Sequence, residues 1–149
     1  MLKQKLLHPQ ILGALAAAGH NSRVLIADGN YPFSTALGPR ADLVFLNLAP
    51  GIVTCPQVLE ALVSAIPVQG AAVMLPAKSG PYALPGDPPV WKEFRKIFKN
   101  AGVSVELERL KIAEFYERAA GDDVALTIAT GEQQWYANVL LSIGAVAKK

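Results

Sequence analysis

The sequence has one cysteine, Cys55, among its 149 residues, and it has no long uninterrupted apolar run. A single thiol excludes both an intramolecular disulfide and a zinc site built from thiolates. The first ten residues, MLKQKLLHPQ, lack the apolar core of a signal peptide, and Gly, Pro or Asn interrupts each apolar stretch well before the roughly 18 residues of a membrane span. We therefore expect a cytoplasmic protein whose cysteine stays reduced.

Charged residues are also scarce. They make up 17% of the chain against 52% hydrophobic residues, and the formal net charge of +2 comes from interspersed charges of both signs. No basic stripe is present, so the composition does not imply a nucleic-acid partner. A chain this apolar must bury much of its surface or share it with copies of itself, and we therefore expect a homo-oligomer.

The motifs of several common enzyme classes are missing. The sequence contains no G-x-G-x-x-G after a strand, no G-x-x-x-x-G-K-[ST], no H-E-x-x-H and no G-x-S-x-G. These patterns mark dinucleotide, phosphate, zinc and serine-hydrolase sites, and no close cluster of His, Asp and Glu takes their place. We therefore expect chemistry that uses neither a metal nor a cofactor.

Helical and extended patterns alternate along the chain. Hydrophobic periodicity, together with Pro and Gly positions, predicts four helices and six strands separated by loops over 28–40 and 78–89. The predicted helices are 9–18, 56–66, 90–100 and 112–119, and the predicted strands are 22–27, 42–48, 71–75, 103–107, 124–129 and 138–143. This alternation predicts a single α/β domain over 1–149, with a largely parallel sheet and helices on its faces.

Polar residues are concentrated in three short segments next to predicted elements. Gly19-His20 follows the first helix, residues 26–32 carry a strand into a polar turn, and residues 130–138 continue from the strand over 124–129. In α/β folds, ligands usually bind beyond the carboxyl ends of strands. These segments are therefore the candidates for a functional site.

The polar and aromatic residues of these segments have structural interpretations as well as chemical ones. His20 can complement a helix dipole, Asp28 can form an Asx-turn, and Asn138 can act as a cap. Tyr136 and Trp135 can be core or interface aromatics. Together, however, they form an acid/base set that suits proton transfer at a carbonyl or hemiacetal, with His as the carrier and Trp stacked on a sugar face.

Four short motifs are spread in a fixed order over almost the entire chain. They are Leu15…Gly19-His20, Ile26-Ala27-Asp28-Gly29-Asn30-Tyr31-Pro32, Phe115-Tyr116-Glu117-Arg118-Ala119 and Thr130-Gly131-Glu132…Tyr136-Ala137-Asn138-Val139. Their order and spacing resemble the fucose mutarotase / ribose pyranase family. The third motif is closer to the fucose branch than to the ribose branch.

The resemblance implies a decameric-type ring of α/β subunits with sugar sites near subunit boundaries. It implies that His20 is catalytic, and we predict Asp28 and Tyr136 as its catalytic partners. It also implies substrate contacts from Asp28, Tyr136, Ala137 and Asn138. The implied partners are a monosaccharide and further copies of the chain, with no cofactor, metal, nucleic acid or membrane. The implied reaction is anomer interconversion of a fucose-like sugar by ring opening and closing.

Three features depart from the pattern of this family. Asn30 stands where the fucose branch usually has a histidine, and Ile112 stands where members place an arginine or histidine, with Lys111 or Arg109 as candidate substitutes. The stretch 121–123 is also longer than usual. Two further interpretations stay open: a sugar-binding or transport-accessory protein without catalysis, and a ribose pyranase-type pyranose/furanose isomerase. A structural oligomer whose polar loops only form turns is a third.

Overall fold

The computed structural model describes residues 1–148, which form one six-stranded sheet with four helices. The helices are α1 (Pro9–Ala17), α2 (Cys55–Val63), α3 (Val90–Asn100) and α4 (Ile112–Ala119). The strands are β1 (Arg23–Ala27), β2 (Asp42–Phe45), β3 (Val68–Met74), β4 (Leu107–Leu110), β5 (Val124–Ala129) and β6 (Val139–Ile143). Across the sheet the order is β2-β5-β1-β6-β3-β4.

The sheet is mixed, so the predicted α/β class is confirmed but the largely parallel sheet needs a correction. Parallel pairs join β1 to β5, β2 to β5 and β3 to β4, whereas β6 runs antiparallel to both β1 and β3. The cause is the short connection over 130–138, because a parallel crossover needs a dozen residues or more. The chain leaves β5, passes the end of β1 and turns straight back.

One predicted strand was wrong. Residues 103–106 pair with no strand, and β4 begins only at Leu107, where Ala71 of β3 faces it. The alternation that suggested a strand over 103–107 has another cause, since Val103 and Val105 pack as partly buried side chains against the core below α3. A period of two therefore marked alternating burial here and not sheet pairing.

The remaining boundaries were predicted well. The predictions for α3, α4 and β5 coincide with the structure at both ends, and the other elements differ by one to three residues at an end.

Thr54 explains the start of α2: its hydroxyl accepts from the Gln57 N–H, and the Gln57 side chain accepts from the Thr54 N–H. This reciprocal capping satisfies two amides that the helix itself cannot.

The sheet separates two hydrophobic clusters. Alternation along β1 sends Val24 and Ile26 into the cluster beneath α1, α2 and α3, and Leu25 and Ala27 into the cluster beneath α4. Every residue from Val24 to Ala27 is fully buried, and β1 is one of the two central strands of the sheet. Its carboxyl end carries the candidate site.

No helix among the described residues combines the length and the apolarity that crossing a bilayer requires.

Candidate functional site

The candidate site lies where β1 and β5 end and β6 begins. Pairing of Ile26 with Val139 brings Asp28 beside Asn138, 110 positions later in the chain. The Asp28 N–H donates to Asn138 Oδ1 at 2.8 Å, and Asn138 Nδ2 donates to Asp28 Oδ2 at 2.9 Å. Both residues are nearly inaccessible, with 3% and 5% exposure. The topology therefore assembles this predicted pair within one chain.

The environment of Asp28 changes its protonation. The pKa of the Asp28 carboxyl is raised from 3.8 to about 6, chiefly by burial and also by the negative charge of Glu132. The backbone N–H groups of Asn30 and Ala137 and the amide of Asn138 lower the pKa, because they stabilise the anion. Near neutral pH this carboxyl can therefore accept or release a proton, as acid/base catalysis requires.

A cavity of about 440 Å³ opens beside this pair, which is within the usual size of small-molecule sites. Its lining combines polar side chains with aromatic and apolar ones. Trp135 and Tyr82 meet edge to face at its mouth, with ring centres 5.7 Å apart and exposures of 44% and 65%. The lining residues are Asp28, Asn30, Tyr31, Met74, Tyr82, Ile112, Tyr116, Trp135, Tyr136 and Asn138.

Two lining tyrosines are not among the site residues that the sequence predicts. Tyr31 and Tyr116 stack with ring centres 5.4 Å apart, and burial raises the pKa of both hydroxyls, assisted by nearby charge. The Tyr31 hydroxyl is buried without a hydrogen-bond partner among residues 1–148. Both tyrosines lie inside the motifs that carried the resemblance, so a signal for them was present. Only the contact between loop and helix reveals that they share one wall.

Tyr136 lines the cavity, but its polar groups are already engaged. Its hydroxyl donates to the carbonyl of Tyr82 at 2.7 Å and accepts from the Ala77 N–H at 3.1 Å. Its own carbonyl accepts from Trp91 Nε1 at 3.2 Å, and its φ of 59° is left-handed. The side chain therefore ties the proline-rich segment to the sheet. Its catalytic role stays a prediction.

Ala137 is fully buried and does not line the cavity. Its backbone N–H acts on the Asp28 carboxyl, so its link to the site runs through that residue.

His20 lies at the opposite end of the sheet. It precedes β1 whereas Asp28 follows it, and five strand residues separate the two by about 16 Å at roughly 3.3 Å each. The imidazole is exposed, and its Nε2 lies 3.0 Å from Gln69 Oε1. A single chain therefore does not bring His20 to Asp28, because a strand separates residues at its two ends.

The two residues that depart from the family pattern line the cavity, whereas their candidate substitutes do not. Asn30 and Ile112 line it, whereas Lys111 directly precedes α4 without a side-chain capping bond, and Arg109 pairs with Asp87 at 2.9 Å over the ring of Trp91. Neither predicted substitute therefore supplies a cation to the cavity. No Lys or Arg occurs among its described lining residues.

The stretch 121–123 lies away from the cavity. Asp123 pairs there with Arg23 at 3.2 Å, beside the start of β1.

Behind the site, the Thr130 side chain holds the end of β5 to the end of β1. Its hydroxyl donates to the Ala27 carbonyl at 2.7 Å, accepts from the Glu132 N–H at 3.2 Å and lies 3.3 Å from Cys55 Sγ. Cys55 is fully buried, and burial raises the pKa of its thiol. The thiol is therefore a supporting group and not a reactive one.

A second cavity, of about 630 Å³, adjoins the first and shares Asn30 and Trp135 with it. Its other walls come mainly from the loop over 47–50 and the turn over 130–133. Among residues 1–148, no group of three or more His, Cys, Asp or Glu side chains is placed to hold a metal ion.

The fold and the cavity define a small α/β protein whose pocket combines a buried carboxyl, amides and exposed aromatic rings. The chain belongs to the RbsD / FucU transport protein family, whose model matches residues 1–146. It is similar to the fucose mutarotase of Homo sapiens, 32% identical over 148 residues that cover 95% of this chain and 91% of the relative. It is 30% identical over 145 residues to a D-ribose pyranase of Streptomyces avermitilis, covering 97% and 98%.

A solved structure has the same fold. The fucose mutarotase of Streptococcus pneumoniae, in complex with L-fucose, superposes with a TM-score of 0.79 at 23% identity, covering 99% of this chain and 100% of that one. The identified family is therefore the one that the sequence motifs indicated.

Proposed function

We propose that this protein is a monosaccharide mutarotase that interconverts the anomers of a fucose-like sugar. The observation that carries the proposal is the buried Asp28–Asn138 pair at the wall of a cavity of about 440 Å³. The relatives named fucose mutarotase support the same activity. In this assignment the enzyme is an isomerase that uses proton transfer alone.

The reaction needs two proton carriers. A base removes the proton of the anomeric hydroxyl while the bond between C1 and the ring oxygen breaks, and an acid protonates the ring oxygen. The product is the open-chain aldehyde, with no net gain or loss of protons or electrons. Rotation about the C1–C2 bond and reversal of the two transfers close the ring on its other face.

The residues of the cavity divide the work of binding and proton transfer. Asp28, with its pKa of about 6, binds sugar hydroxyls or exchanges a proton with them. Asn138 holds the carboxylate in place and presents a polar edge to the ligand. Trp135 and Tyr82 offer ring faces on which the apolar side of a sugar stacks.

His20 is the second proton carrier in this proposal, and it comes from a neighbouring copy of the chain. Within one chain it lies at the far end of β1 and is exposed, so only another subunit can place it near Asp28. Exposed apolar side chains on and after the edge strand β2, at Phe45, Leu48 and Ile52, offer a surface for such contacts. We propose a closed homo-oligomeric ring, a decamer, in the cytoplasm.

Sedimentation at micromolar concentration tests the assembly. We expect a mass several times the 15.8 kDa of the monomer. A monomer would contradict a site shared between copies.

Two rival functions have support of their own. A sugar-binding or transport-accessory protein without catalysis is favoured by Ile112, which leaves the described cavity wall without a cation. A ribose pyranase-type isomerase is favoured by the relative of that name.

Saturation-transfer NMR on the anomeric protons separates these functions. The assay covers fucose, ribose, galactose and rhamnose, each with and without protein. We expect faster exchange between the α and β signals of fucose than of ribose. Line broadening without exchange would indicate a binding protein, and pyranose–furanose exchange of ribose alone would indicate the pyranase. An inert protein would leave only a structural role.

A further inference from the structure

The exposed imidazole of His20 is held by a chain of side-chain hydrogen bonds. Its Nε2 lies 3.0 Å from Gln69 Oε1, and Gln69 Nε2 donates to Asn21 Oδ1. Asn21 has a left-handed φ of 66°, and its N–H donates to the Ile143 carbonyl at 2.9 Å. The loop that carries His20 is thus anchored to the end of β6.

An irregularity at the start of β3 directs Gln69 towards this loop. Val68 faces Ile143 and Gly70 faces Ser142, so the pairing with β6 skips Gln69. An unpaired residue of this kind turns its side chain away from the regular alternation of the strand. The contact with His20 therefore depends on a local feature of the sheet and not on chance proximity.

The orientation of the Gln69 amide in the structure, with its oxygen towards the imidazole, indicates which nitrogen of His20 carries hydrogen. An amide oxygen only accepts, so His20 Nε2 must be the donor. With its oxygen towards His20, the Gln69 amide also places its nitrogen to donate to Asn21 Oδ1. In the neutral imidazole the lone pair then lies on Nδ1, and the bond to Gln69 is kept when Nδ1 takes up a proton.

We propose that Gln69 is a positioning residue that holds His20 in the tautomer with hydrogen on Nε2, so that Nδ1 is the atom that takes and returns the sugar proton. The role of Nδ1 rests on the proposed mutarotase function. The tautomer itself does not, because it follows from the hydrogen bonds of the free protein.

The test is nitrogen-15 NMR of the two imidazoles, His8 and His20, in protein labelled at histidine and held at alkaline pH. His8→Asn assigns the signals and keeps a capping side chain at the start of α1. We expect His20 Nε2 to show the signal of a protonated nitrogen and Nδ1 that of an unprotonated one. Gln69→Leu should give averaged signals and a fall in kcat of about tenfold with little change in KM. Gln69→Glu, which keeps an acceptor, should restore the tautomer.

Two controls separate positioning from general damage. Gln10→Leu removes an exposed glutamine on α1 and should leave tautomer and turnover unchanged. Sedimentation of each variant checks assembly.

The proposal is overturned if wild-type His20 is averaged or protonated at Nδ1, or if Gln69→Leu changes neither tautomer nor kcat. If the tautomer is as expected but His20→Ala keeps full exchange, the role of Nδ1 is overturned together with the proposed use of His20. The hydrogen-bond assignment would survive that result.

Discussion

The two ends of β1 are built on different principles. At the carboxyl end, Asp28 is buried and bonded to Asn138 and to the backbone, all within one chain. At the amino end, His20 is exposed, and its side chain hydrogen-bonds to Gln69. Binding groups gain from rigid burial, whereas a proton carrier supplied to another subunit must stand at the surface. The difference between the two ends is therefore what a site shared between copies would require.

The largest effect on turnover is expected from removing the exposed imidazole at the amino end of β1. His20→Ala should reduce anomer exchange by about 10²–10⁴-fold, towards the rate in water, because a general acid/base contributes that much. The variant should remain a folded oligomer that still binds sugar weakly, and its urea unfolding should hardly change, since the side chain is exposed in the single chain. Saturation-transfer NMR measures the exchange, with His8→Asn as the matched histidine control. Exchange near the wild-type rate would reduce His20 to a helix-end residue.

At the carboxyl end of β1, replacing the buried carboxyl should lower turnover without lowering stability. Asp28→Asn should weaken turnover strongly, yet it should not destabilise the protein at neutral pH. Because the pKa of Asp28 rises from 3.8 to about 6 on folding, its ionisation costs the folded state up to about 3 kcal/mol. Asparagine avoids this cost.

The sign of the pH dependence follows from the same shift. Below about pH 4 the carboxyl is protonated in both states and carries no penalty, and the penalty grows until about pH 6. The stability of Asp28→Asn relative to wild type should therefore increase over this window and stay constant above it. Urea unfolding from pH 4 to 8 measures it. A difference independent of pH would show that burial does not perturb this carboxyl.

A smaller effect on turnover is expected from adding a cation at Ile112, an apolar position in the cavity wall. Ile112 is 39% exposed, so Ile112→Arg should fold normally and place a cation at the wall. We expect turnover of fucose at low concentration to rise about threefold to tenfold, roughly the net worth of one ordinary hydrogen bond, because the added cation is partly exposed to water. Ile112→Leu, which adds no donor, should change nothing. Equal rates for the two variants would mean that this position does not reach the sugar.

The smallest effect on turnover is expected from Tyr136→Phe. The ring still packs, but the Tyr82 carbonyl and the Ala77 N–H lose their partner, which should cost about 1–2 kcal/mol in urea unfolding. Hydrogen exchange should rise selectively over 77–84. Tyr31→Phe is the matched control, because the hydroxyl it removes has no partner among residues 1–148. Equal stability losses in both variants would show that the hydrogen bonds of the Tyr136 hydroxyl do not hold the segment over 77–84 to the sheet.

Local signals explain what the sequence could predict. The heptad-like spacing of Trp91, Phe94 and Phe98 located α3, and a polar turn after a buried strand located Asp28. The direction of β6 was not predicted, because strand direction depends on the length of a connection and on which strands become neighbours. The strand over 103–107 was misplaced because loops that pack on a core also alternate.

The site residues also divide into those that local sequence signals reveal and those that only the fold brings together. Asp28, Asn138, Tyr136 and Trp135 were found because they follow strands, and all four line one cavity. His20 was grouped with them because of its acid/base chemistry, although it precedes β1 and therefore lies at the opposite end of that strand. Tyr31 and Tyr116 were missed because their contact joins a loop to a helix more than 80 residues away, and no spacing rule relates such positions.

The burial of Cys55 gives the protein an internal reporter. Its thiol lies behind the site against Thr130, which fastens the end of β5 to Ala27. An alkylating reagent can reach the sulfur only when this end of the sheet opens. Since the rest of the sequence contains no other thiol, the rate of alkylation measures how often this edge of the sheet opens while the protein is otherwise folded. A bound sugar that bridges β1 and β6 should slow that rate in proportion to the occupancy of the cavity.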